Sequence, residues 1–171
     1  LIYWNQNHFL QALDYHIKAL KIREEIGDKA GKAASLNNIG LIYWNQGKYQ
    51  MALKCYFESL DNKEAIDSKM ANTYNNIGLI FFEQAKSMGN NDSITTGRNY
   101  TQALKYYLKS LKIREEIGDK EGKAGTLTNI GNLYVSQNKL QNAIGQCENA
   151  LTLAKEIGSK INIQDACNCL S

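Results

Sequence analysis

Residues 36–53 read LNNIGLIYWNQGKYQMAL, and the reading of Gly40 within them decides the fold. Leu36, Ile39 and Tyr43 recur at three- and four-residue steps, the spacing of one helix face. A glycine inside a helix costs about 1 kcal/mol relative to alanine, so its place in this pattern needs a compensating gain. The same surroundings recur along the chain. LIYWNQ also opens it at 1–6, NNIGLI returns at 75–80 and TNIGNLY at 128–134, while KIREEIGDK occurs at 21–29 and 112–120. Internal repetition on this scale is the mark of a stacked array.

With Gly40, Gly78, Gly131 and Ser171 as markers, the spacings are 38, 53 and 40 residues. A second marker, Ala12, Ala52, Ala103 and Ala143, is spaced 40, 51 and 40. The unit before the third is two residues short near AIDSKM, and the third carries 13 extra residues, AKSMGNNDSITTG at 85–97, whose Gly, Ser, Thr and Asn content reads as a mobile surface loop. Each unit divides into two helices, of which the best defined run from about Lys29 to Gln46 and from about Tyr49 to Glu64. Gly47 within a unit and Gly27-Asp28 between units supply the turns. Asp28, Asp119 and Ser159 stand where an N-cap acceptor is wanted. The pattern predicts eight helices, preceded by a remnant of another at the N-terminus. Gly40 opposite Ala52 would let two helices cross closely, with Tyr43, Tyr49 and Tyr56 filling the space beside them.

In this arrangement the chain resembles tetratricopeptide repeats. The stretch LNNIGLIYWNQGKYQMALKCYFESL carries Leu36, Ile39, Gly40, Tyr43, Gly47, Tyr49, Ala52, Tyr56 and Ser59 at the motif positions, and two further units repeat them. The departures are His16 and Cys147 where an aromatic is usual, and the insertion. The 40-residue spacing resembles the variant of spindle-orientation adaptors and bacterial signalling proteins. The resemblance implies an all-α, right-handed superhelical solenoid of antiparallel helix pairs. Residues 1–171 are then one array of about four units, a fragment of a longer one, since neither end carries a polar capping helix.

Composition narrows the function. Charged residues are 22% and the net charge is +3, with both signs interleaved, so the basic footprint of a nucleic-acid or membrane-surface protein is missing. No apolar run approaches the roughly 20 residues that span a bilayer. Cys55, Cys147, Cys167 and Cys169 lack the spacing of a disulfide framework and read as buried free thiols of a reducing, cytoplasmic compartment, with Cys167 and Cys169 on different helix faces. No phosphate loop, zinc motif or nucleophile elbow is present, and neither cofactor nor metal is expected. Glu24-Glu25 and Glu115-Glu116 read as solvated charge paired with Arg23, Lys29, Arg114 and Lys120.

A surface remains. The resemblance puts the first helix of each unit on a concave side, where Asn37, Leu41, Trp44 and Asn45 fall away from the core stripe. The next units supply Asn75, Leu79, Phe82 and Glu83, then Thr128, Asn132, Val135 and Ser136; Leu1, Trp4 and Asn5 begin the row and Asn168 ends it. An amide donates and accepts together, so such a ladder suits an extended peptide backbone, with the aromatics taking apolar anchors. Equally, the aromatics can pack between units and the asparagines brace helix junctions. Chaperone-adaptor arrays of this family grip a carboxylate with lysine and arginine; Asn37, Leu41, Asn75 and Leu79 occupy those places here. The reading is a non-enzymatic scaffold binding a peptide or partner helix. The alternative is a sensor segment of a larger signalling enzyme, a histidine kinase or nucleotide cyclase.

Overall fold

The computed structural model describes residues 2–61, 67–89 and 92–170, with side chains from Phe9 onward. Leu1, Ser171 and the side chains of Trp4 and Asn5, which begin and end the predicted rows, lie outside the described residues. Eight helices occur among them: α1 Ile2–Glu25, α2 Lys29–Asn45, α3 Tyr49–Leu60, α4 Asp67–Met88, α5 Ser93–Glu116, α6 Lys120–Ser136, α7 Leu140–Glu156 and α8 Lys160–Leu170. Contacts divide the chain into two compact units, Leu1–Asn76 and Ile77–Ser171.

The turns follow one rule. Three residues separate α1 from α2, α2 from α3, and each helix from α5 onward from the next. The middle one has positive φ: Gly27, Gly47, Gly118 and Gly158 near +70°, and Asn138 at 56°. Glycine takes this left-handed conformation without a Cβ clash, and asparagine tolerates it. At the first turn the Asp28 N–H donates to the Arg23 carbonyl at 2.9 Å, satisfying an orphan acceptor of the helix end. Asp28 and Asp119 then accept the Gly31 and Gly122 N–H groups at 2.8 and 2.9 Å, and Ser159 reaches Asn162 N–H at 3.5 Å. The expected turn after the N-terminal remnant is absent, for α1 runs unbroken through Asn7 and His8. Asn7 stands where Gly47 does, and asparagine permits the left-handed turn without imposing it.

In the first unit Ala33, Leu36, Ile39, Ala52, Leu53 and Tyr56 are buried. A Cβ at Gly40 would meet Tyr56 Cε1 at 2.6 Å, so the glycine accommodates an aromatic ring rather than Ala52. In the second unit Tyr107 covers Gly78 in the same way, with the Ala103 carbonyl 3.2 Å from the missing Cβ. Burial drives both phenols well above the ordinary tyrosine range; Asn76 opposes this at Tyr56, whereas the Glu83 charge adds to it at Tyr107. Close packing of the ring offsets the helix-propensity cost of the glycine.

The insertion differs from its expectation as a loop: its described residues lengthen α4 to Met88 and start α5 at Ser93, while Asn90 and Asn91 lie outside the described residues. Ala85 is fully buried, Thr96 Oγ1 donates to the Gly89 carbonyl at 2.9 Å, and Asn99 Nδ2 lies 3.6 Å from Met88 Sδ. Asp92 caps α5 by accepting the Thr95 N–H at 3.0 Å, and hydrogen bonds from the Thr95 side chain and then its N–H hold the Asp92 carboxyl below the usual range. Composition misled because Asp, Ser and Thr favour helix starts as much as loops. Replacing 85–97 by a Gly-Lys turn is therefore expected to cost about 2 kcal/mol or more through the lost Ala85 packing and the cap. An unchanged thermal midpoint of the deletion variant would show that these residues do not pack.

Candidate functional site

In the first unit, Leu41 is 43% exposed on α2, and Asn45 beside it donates through Nδ2 to the Leu41 carbonyl at 2.9 Å. Asn37 is half-buried, with Oδ1 3.1 Å from Thr73 Oγ1 on α4; the same hydroxyl lies 2.9 Å from the Lys69 carbonyl, and its single proton serves one of the two at a time. Asn37 thus ties α2 to α4. Asn75 is half-buried and also engaged. Trp44 is half-buried, and its indole N–H is a buried donor without a partner among the described residues; Gln46 Oε1, two residues on, is a buried acceptor without one among them. Gln46 and Asn45 line a cavity of about 470 Å³ with Phe9, Leu10 and Lys48.

In the second unit, two of the proposed contact residues are interior. Phe82 is 7% exposed in a cluster with Ala103, Tyr107, Ile130 and Leu133, and Tyr100 covers it at 6.3 Å between ring centroids. It cannot take a ligand's apolar anchor while that cluster stands. Thr128 is buried because its hydroxyl donates to the Ala124 carbonyl of its own helix at 3.2 Å, leaving no unmet polar atom. Leu79 is partly buried against the same cluster as Phe82, and Glu83 pairs with Lys86 at 3.6 Å. Asn132 is half-buried, and Val135, Ser136 and Asn168 are exposed.

KIREEIGDK holds a feature missed by the reading of its charges. Arg23 and Arg114 turn inward, away from the glutamates expected to pair with them. Arg114 is 7% exposed; Nη1 pairs with Asp119 Oδ2 at 2.6 Å and Nε donates to Ser110 Oγ at 3.0 Å. In the first unit Arg23 Nη1 donates to the Gly31 carbonyl at 3.0 Å and Ser35 Oγ at 2.6 Å, with Nε 3.8 Å from Asp28. A Cβ at Gly122 would collide with both Arg114 Nη1 and Asp119 Oδ2. The signal was legible as Arg-x4-Asp-x2-Gly, which keeps a poor helix former in the first turn of α2 and of α6. The glutamates find other partners: Glu24 with Lys32 at 2.8 Å, Glu115 with Lys123 at 2.9 Å, Glu116 with Lys112 at 3.8 Å, while Lys120 pairs with Glu156.

The cysteines also depart from expectation. Cys147 and Cys169 form a disulfide between α7 and α8, with Cα atoms 6.0 Å apart, and only Cys55 and Cys167 are free. Cys167 is exposed, on the opposite face from Cys169, as the two-residue spacing predicts. No group of three His, Cys, Asp or Glu able to hold a metal occurs among the described residues, nor is any described helix long and apolar enough to cross a membrane.

A family model described as tetratricopeptide repeat matches residues 1–65 and 96–156, most of the chain. The chain belongs to the tetratricopeptide-repeat family. Arrays of these repeats mediate protein–protein interaction, and the fold is typically non-catalytic. The 43 kDa receptor-associated protein of the synapse from Tetronarce californica is 36% identical over 69 residues, which is 40% of this chain but only 16% of that protein. Among solved structures, the N-terminal domain of stress-induced protein-1 (STI-1) from C. elegans matches with a TM-score of 0.61 at 15% identity, over 84% of this chain and 98% of that one. At that identity the likeness is one of fold alone.

Proposed function

We propose that this repeat array is a non-enzymatic, cytoplasmic scaffold that holds extended peptide segments against the outward face of α2 in the first unit and of α6 and α8 in the second. The observation that carries the reading is the pair of unmet polar atoms at Trp44 Nε1 and Gln46 Oε1, flanking the Asn45 amide and near exposed Leu41. A buried donor and acceptor without partners are costly in the free protein. An extended peptide backbone offers the complementary acceptor and donor at once. Leu41 and Trp44 then take an apolar side chain and Asn37 and Asn75 brace that face, while in the second unit, taken by itself, Asn132 and Asn168 supply amides of the same kind on α6 and α8. In the second unit Phe82 and Thr128 are buried, Leu79 packs against the core, and Glu83 is tied to Lys86.

Binding to a peptide array and circular dichroism test this together. Leu41→Ala with Asn45→Ala is expected to weaken the bound peptides about tenfold or more, through lost apolar contact and a lost hydrogen bond, with melting little changed. Trp44→Phe removes the indole N–H and keeps most of the ring area; about three- to tenfold weaker binding is expected. If both folded variants retain the wild-type peptide profile, this face is not the site.

A further inference from the structure

We infer that Cys147 and Cys169 form a thiol–disulfide switch that decides how firmly α8 is held. The argument begins with the marker glycines. Tyr56 covers Gly40 and Tyr107 covers Gly78, but at the third marker Cys147 stands in the tyrosine's place. A sulfur is far smaller than a phenol ring, and the space over Gly131 is filled from the next helix: a Cβ there would meet Cys147 Sγ and, at 2.7 Å, Cys169 Sγ. One packing position that two units fill with a ring is thus filled by two sulfurs from two helices.

What holds α8 otherwise is slight. Ala166 is its one buried residue among those described, while Ile161 is 75% exposed and Leu170 38%. Its polar ties include Asn162 Nδ2 to the Glu121 carbonyl at 3.3 Å and the Cys169 sulfur 4.0 Å from the Thr128 carbonyl, and Asn168 is engaged as well. Ordering a residue costs about 1–2 kcal/mol, so a helix with one buried alanine is weakly docked unless cross-linked. The bond spans 22 residues of chain and ties α8 to α7, whose Ala143, Ala150 and Ala154 are firmly buried.

The chemistry closes with a small disulfide such as oxidised glutathione as oxidant. The half-buried Cys169 thiolate attacks one glutathione sulfur, forming a mixed disulfide and expelling a glutathione thiolate, which takes up a proton. The Cys147 thiolate then attacks Cys169 Sγ, forming the protein disulfide and expelling the second glutathione. Two protein thiols are oxidised and one glutathione disulfide is reduced to two thiols; excess reduced glutathione reverses both steps. In the reducing compartment proposed above, the pair rests as thiols and oxidation fixes α8. Asn168, adjacent to Cys169, is fixed with it; that consequence alone rests on the peptide-binding reading.

The test uses the whole chain, folded, in glutathione buffers of varied ratio, with no partner present. Alkylation and peptide mass mapping are expected to show a reversible 147–169 cross-link in wild type and Cys167→Ser, absent from Cys147→Ser and Cys169→Ser. Amide exchange across 160–170 is expected to slow roughly a hundredfold on oxidation in wild type, as a cross-link of this span implies, and to be unchanged by redox state in Cys147→Ser. No cross-link in the folded protein, a cross-link from Cys147 to Cys167, or equal exchange of α8 in both states would each overturn the proposal.

Discussion

Gly78→Leu is expected to lower unfolding stability by about 3 kcal/mol, at the upper end of the usual range for an overpacked core. The Tyr107 ring lies 2.7 Å from where the Cβ would sit, is fully buried, and is backed by Phe82, Ala103, Ile130 and Leu133. It has no room into which to rotate, and the Ala103 carbonyl blocks the other side at 3.2 Å. A denaturant titration of the single variant, of Tyr107→Ala and of the double variant forms a cycle. With the ring removed, the added leucine side chain should cost less than about 1 kcal/mol, because the two changes share one space. Additive effects in the cycle would mean that the ring does not lie over the glycine.

Arg114→Ala is expected to cost about 2–3 kcal/mol. Removing one partner of a buried, hydrogen-bonded ion pair leaves the other uncompensated, which typically costs somewhat more. The Asp119 side chain is 31% exposed, so solvent recovers part of the loss. Two further effects add to it: Ser110 Oγ loses its donor, and the space over Gly122 empties. Arg114→Lys is expected to recover less than half, since one ammonium cannot meet Asp119 and Ser110 with the geometry of a guanidinium. Thermal unfolding of both variants beside Glu116→Ala, which removes an exposed partner at 3.8 Å, separates the two roles. If Glu116→Ala costs as much as Arg114→Ala, the arginine behaves as surface charge and the clamp is wrongly assigned.

These two residues show how differently the sequence speaks about its parts. The burial of Gly40 and Gly78 was legible because three- and four-residue spacing is a local property of the helix. Even so, spacing pointed to Ala52 as the residue opposite Gly40, where Tyr56 lies. Arg114 was misread because charge density alone says nothing of direction: Glu115 and Glu116 face solvent while their neighbour turns in toward Asp119 and Ser110. Among candidate contact residues, Leu41 and Phe82 looked alike on a helical stripe. Leu41 is open to solvent, whereas Tyr100, Tyr107 and the facing α6 residues enclose Phe82. Cys147 and Cys169 carried no visible relation, being 22 residues apart on different helices.

By itself the sequence determined the all-α repeat: where most helices begin, which residues cap them, where the left-handed turns fall and which stripe carries the small residues. Those properties depend on neighbours within about four positions, and the chain repeats them. Tertiary structure alone decided which residues at the edges of each stripe are buried, where the arginines pair, and that one tyrosine's place is shared by two sulfurs. Each of those outcomes depends on the volume and polarity that a second helix brings to the contact, and no local spacing records what arrives from the other side.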